Sequence, residues 1–105
     1  KLLDWNSMAT ENLLKDSLEP GITGATTVGT TEAKIRDNNM ELFTGLIIKA
    51  DASNSGTLYV GFNGADAATG FPLAPGESVP VSAEKTDDVY IIGSAAGQIA
   101  RYIGQ

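Results

Sequence analysis

The stretch Asp51-Ala-Ser-Asn-Ser-Gly-Thr-Leu58 spaces oxygen ligands much as a cation needs them. Counted as a calcium loop, it sets Asp51, Ser53 and Ser55 at positions 1, 3 and 5, Gly56 at the sharp turn at 6 and apolar Leu58 at 8. Position 12, where a bidentate glutamate closes the sphere, is Phe62, and the flanks read as strands rather than helices. One carboxylate holds Ca²⁺ poorly, so the stretch is expected to be a Ser/Asn/Gly hairpin turn. Asp87-Asp88, with Glu84 nearby, is the only adjacent acidic pair, and two carboxylates in different environments could divide acid and base roles in glycoside hydrolysis. Glycoside cleavage also needs a long substrate cleft, which a small domain hardly forms, so the pair reads as a solvated loop at a strand end. Gly61-Phe-Asn-Gly64 and Gly93-Ser-Ala-Ala-Gly97 match no GxGxxG or Walker pattern and precede no basic helix. They read as tight hairpins and bulges. Tyr59, Phe62, Phe71, Tyr90 and Tyr102 form a candidate sugar-stacking platform, against the plainer reading of core and edge packing.

The elements that must position these residues are bounded by composition. The sequence has neither His nor Cys, which removes Ser-His and Cys-His nucleophile pairs, His-ligated zinc, thiolate metal sites and disulfides. No enzyme activity and no cofactor is expected. At 105 residues the chain makes one domain, with about 65% of its unfolded surface buried on folding. Its net charge is −6, and Lys1, Lys15, Lys34, Arg36, Lys49, Lys85 and Arg101 are scattered, so a phosphate-binding patch and hence a nucleic-acid partner are not expected. No apolar run approaches the ~18 residues of a membrane span, and no basic region followed by an apolar one opens the chain as in a signal peptide. The chain starts at Lys1 rather than Met, as a processed or incomplete product would.

Composition changes at Pro20-Gly21. Residues 1–19 hold five leucines and no Gly or Pro, whereas all 12 Gly and all four Pro come from Pro20 onward. The expected division is a helical arm over 1–20 and a β domain over 21–105. Placed 100° apart, Leu2, Leu3, Leu13, Leu14 and Leu18 fall within one arc of roughly 160°, while every charged residue of the segment falls on the opposite half. Trp5 and Met8 also lie on that charged half. Thr10 is a candidate cap for a helix starting at Glu11, and Pro20-Gly21 stops it. So short a helix needs a surface for its stripe, so Leu2, Leu3, Trp5, Met8, Leu13, Leu14 and Leu18 are the candidate interface residues.

From Gly21 the hydrophobic period becomes 2. Strands are expected at 25–28, 31–36, 44–50, 57–62, 78–83, 89–94 and 98–103, with turn chemistry at Ser53-Asn-Ser-Gly56, Asn63-Gly64, Pro75-Gly76 and Ala96-Gly97. Pro80 marks its strand as an edge, and Val89-Tyr-Ile-Ile92 reads as buried on both faces. The fold class is all-β: a small antiparallel sandwich or barrel of about six to eight strands, in meander order, behind a short N-terminal amphipathic helix or arm.

Over residues 44–104 the pattern resembles small β-rich virion structural proteins of tailed bacteriophages, of the head decoration or cement type. The stretches that carry it are Asn54-Ser-Gly-Thr-Leu-Tyr-Val-Gly61, Gly70-Phe-Pro-Leu-Ala-Pro-Gly-Glu-Ser78, Val89-Tyr-Ile-Ile-Gly-Ser94 and Gln98-Ile-Ala-Arg-Tyr-Ile-Gly104. The resemblance implies a non-enzymatic protein on the outer capsid surface of the virion, a homotrimer that binds the major capsid protein and stabilises the assembled head. The alternative it leaves is a tail-fibre or host-surface module that binds carbohydrate. No catalytic residue carries over.

Overall fold

The computed structural model describes residues 21–63 and 69–105. The expected arm over 1–20, with all seven candidate interface residues, lies outside them, as does Gly64 of the Asn63-Gly64 turn. Eight strands follow in chain order: β1 (Ile22–Val28), β2 (Ala33–Lys34), β3 (Leu46–Ala50), β4 (Leu58–Gly61), β5 (Phe71–Leu73), β6 (Ser78–Val81), β7 (Tyr90–Gly93) and β8 (Gln98–Gly104). They form two four-stranded antiparallel sheets, β1-β8-β3-β6 and β2-β7-β4-β5, so the body is the expected all-β sandwich.

The connectivity is not a meander. Only β4 and β5 are neighbours both in sequence and in a sheet, and every other connection between these strands crosses to the opposite sheet. The pairings β1 with β8, β2 with β7, β3 with β6 and β4 with β5 are those of one long hairpin wound into two layers. Pairing of β3 with β8 and of β4 with β7 then completes each sheet. This winding is the jelly roll. The corners at 51–57, 74–77 and 94–97 therefore join sheets, and the expected hairpins at Ser53–Gly56 and Gly93–Gly97 are corrected to corners. At one of them Pro75 and Gly76 (φ 87°) fill the middle of a type II turn, with the Glu77 N–H donating to the Ala74 carbonyl at 2.9 Å.

Alternation decides which side chains lie between the layers. Leu46, Ile48 and Ala50 of β3, Leu58 and Val60 of β4, Ile91 of β7 and Ala100 and Tyr102 of β8 are buried in one cluster drawn from both sheets. Their neighbours Ile47, Lys49, Arg101 and Ile103 are exposed. In β7, Tyr90 and Ile92 are only half-buried, which corrects the expectation of burial on both faces: each layer of a two-sheet body has solvent on its outer side. Pro80 does lie on an edge strand, β6. Pro72 plays the same part in β5, a strand absent from the sequence expectation because proline occupies its middle residue. Gly24 pairs with Tyr102, where an added Cβ would come within 2.7 Å of the ring carbon Cζ, so the tyrosine lies across β1 only because that position has no side chain.

Candidate interaction surfaces

The Asp51 corner is held by amide side chains. Asn54, 8% exposed, turns its amide onto the backbone of Ile99, donating from Nδ2 to the carbonyl at 3.0 Å and accepting the N–H on Oδ1 at 2.8 Å. Gln98 is fully buried; it accepts the Gly56 N–H on Oε1 at 2.8 Å and donates from Nε2 to Ser55 Oγ and the Ala96 carbonyl, each at 3.1 Å. Two corners, 51–57 and 94–97, are thereby tied together. Asp51 Oδ1 accepts from Arg101 Nε at 2.6 Å, and Oδ2 accepts the Ser53 N–H at 3.1 Å and the Ser53 hydroxyl. A cation at positions 1 and 3 of this loop would have to displace the Arg101 guanidinium and break the Asp51–Ser53 bonds.

The Arg101 hydrogen bond, followed by those from Ser53, holds the Asp51 carboxyl at about 2, below its ordinary 3.8. Because folding lowers this pKa, the stabilisation is complete above pH 3.8 and is lost as pH falls through about 2. Asp51→Asn is expected to melt below the parent chain at neutral pH, with the gap closing as pH approaches about 2. A gap that stays constant over that range, measured by thermal denaturation, would assign the loss to the amide's packing rather than to the ionised carboxylate.

Asp87 and Asp88 lie in a 3-10 turn, Thr86–Asp88. Buried Thr86 accepts the Met40 N–H on Oγ1 at 2.8 Å and donates its own N–H to the Met40 carbonyl at 2.9 Å, while the Asp87 N–H donates to Asn39 Oδ1 at 3.0 Å. Asp87 Oδ1 is buried without a hydrogen bond and faces the Lys34 ammonium at 3.5 Å, a contact that is an ion pair by distance and too long for a hydrogen bond. Both aspartates are half-buried, so the solvated loop expected here is corrected: the turn fastens the 39–40 loop to the body.

The candidate aromatic platform divides. Tyr102 is 8% exposed and belongs to the core. Phe62 and Phe71 are each 56% exposed at the end of the β4–β5 pair, and Tyr59 and Tyr90 are half-buried. Phe62 and Tyr90 share a depression of about 460 Å³ with Asn63, Asp87 and Asp88, which brings the acidic pair beside two of the aromatics.

A second exposed apolar feature lies elsewhere. On the outer face of the sheet β1-β8-β3-β6, the register aligns Thr23, Ile103, Ile47 and Pro80 in one row across all four strands. Ile47 is 50% and Ile103 58% exposed. They line a trough of about 600 Å³ with Gly21, Pro80 and Val81, and the next row across the sheet is Ala25, Arg101, Lys49 and Ser78. Sequence reasoning did not single out this surface. Its signal was present: in β3 and at the end of β8 both alternating positions are apolar, which a strand with one wet face does not require.

Comparison with protein-family models, with curated proteins and with solved structures finds no match to this chain.

Proposed function

We propose that this chain is a non-enzymatic structural protein of a tailed-phage virion, a decoration protein that binds the outer surface of the assembled head and stabilises it. The observation that carries the reading is the residue pattern over 44–104, whose stretches Asn54–Gly61, Gly70–Ser78, Val89–Ser94 and Gln98–Gly104 resemble phage decoration proteins. The jelly roll adds fold-level analogy, since it recurs in viral capsid and lectin domains. The mechanism is mass action: a protein that binds only the assembled shell stabilises that state in proportion to occupancy. Self-association as a homotrimer presents three attachment arms at once, and avidity then raises affinity without a new kind of contact. The partner is the major capsid protein, and neither cofactor, nucleic acid nor membrane takes part. Among the described residues no helix is long and apolar enough to cross a membrane.

Mixing the protein with undecorated capsids tests the reading. Cosedimentation and a raised capsid melting temperature are expected, with light scattering giving three times the chain mass. A monomer that fails to sediment with capsids at tens of micromolar overturns it. The depression formed by Phe62, Tyr90, Asn63 and the Asp87-Asp88 pair favours a second reading, a host-surface carbohydrate-binding module, because stacking rings beside carboxylates suit a sugar's faces and hydroxyls. Glycan-array binding that Phe62→Ala abolishes, without any capsid binding, would put that reading first.

A further inference from the structure

We propose that the outer face of the β1-β8-β3-β6 sheet is the seat of the chain's own N-terminal segment, residues 1–20, whose leucine stripe lies over the trough between Ile103 and Ile47. The inference goes beyond the capsid reading and stands without it.

The place where the segment joins the body carries the argument. Gly21 itself lines the trough, so the chain arrives at the apolar row rather than at a distant corner. Gly21 follows Leu18 by three residue steps, a reach of about 10 Å, and on a helix Leu14 stands about one turn before Leu18, about 6 Å away. Ile103 and Ile47 occupy paired positions on adjacent strands, about 5 Å apart in the sheet. Leu14 and Leu18 thus match the row in spacing and lie within tether range of it.

Chemistry agrees with reach. The stripe is apolar, like the Ile103–Ile47–Pro80 part of the row. A short tether gives the chain's own segment an effective concentration in the millimolar range, well above that of another copy at micromolar protein. The occupant is therefore the segment of the same chain. Seating the stripe also directs Trp5 and Met8, which lie on the opposite half, away from the sheet.

Because the chain has no cysteine, paired substitutions read the contact cleanly. Full-length protein carrying Leu18→Cys with Ile103→Cys is expected to form a disulfide within one chain at least about tenfold faster than protein carrying Asp16→Cys with Ile103→Cys, since only the first pair shares a contact face. Equal rates for the two pairs would mean an undocked arm and overturn the proposal. Disulfide-linked dimers as the main product would overturn it in favour of a second copy's segment. Independently, Ile47→Asp should remain folded, because this side chain points out of the core, yet trypsin should cut after Lys15 about tenfold faster than in the parent. Unchanged cleavage in a folded Ile47→Asp protein also overturns the proposal.

Discussion

Asn54→Ala is expected to destabilise the domain by about 2–3 kcal/mol, far more than an alanine in a surface turn, because it strips two partners at once from the backbone of Ile99. The N–H and carbonyl that lose the amide lie in a part-buried stretch of β8, where water replaces them poorly. Gln98→Ala should cost a similar amount for a related reason: the Gly56 N–H, Ser55 Oγ and Ala96 carbonyl lose their partner, and a fully buried side chain leaves a void. The two changes should not add. Both residues tie the 51–57 corner to the same end of β8, so once one is gone the corner has already loosened and the second removes less. Urea denaturation of both single variants and the double variant measures the coupling. Single losses below about 0.5 kcal/mol, the size of an ordinary surface substitution, would mean that the corner is not held this way.

These residues illustrate what the sequence made legible. Parity was legible in β4, where Leu58 and Val60 are the inward members of an alternating run, and Pro80 identified an edge; in β3 and at the end of β8 both parities are apolar, so alternation alone did not separate inward Leu46, Ile48 and Tyr102 from outward Ile47 and Ile103. Which strand pairs with which left no local trace. Ile22 pairs with Gly104 and Leu46 with Val81, and contacts so distant in sequence depend on how the hairpin winds rather than on any dipeptide. The expected strand at 31–36 is only Ala33–Lys34; Ile35, buried in the core, still donates its N–H to the Val89 carbonyl at 3.0 Å, while its own carbonyl accepts from Thr26 Oγ1 at 2.5 Å. Asn54 and Gln98 are turn-type and polar residues in sequence, and nothing local says that their amides face inward toward backbone 42–45 residues away. The acidic pair and the aromatics were visible as residue types, whereas their meeting at one depression requires the 3-10 turn and the β4–β5 end to be folded side by side.

Removing residues 1–20 is expected to leave a folded domain that no longer attaches to capsids. The buried cluster among the described residues draws on both sheets and is closed by ladders that begin at Ile22, so truncation takes away a covering of the outer face rather than the interior. Attachment is a different matter. At helical spacing Trp5 and Met8 fall on the half opposite the leucine stripe, and a tryptophan buried in a partner contributes about 2 kcal/mol or more, roughly thirty-fold in affinity. Trp5→Ala should therefore weaken capsid binding by about that factor for each arm, and in a trimer the loss compounds through avidity to well beyond a hundred-fold. With the leucine stripe on the sheet, the melting temperature of the isolated protein should move little. Cosedimentation over a concentration series, alongside thermal denaturation of the same samples, separates the two effects. A truncated chain that is molten would place the leucine stripe in the core, and undiminished capsid binding after truncation would place attachment on the body instead of the arm. The Trp5→Ala result divides the segment's two faces: loss of binding with an unchanged melting temperature assigns Trp5 to the capsid, whereas a lowered melting temperature with intact binding assigns it to the sheet.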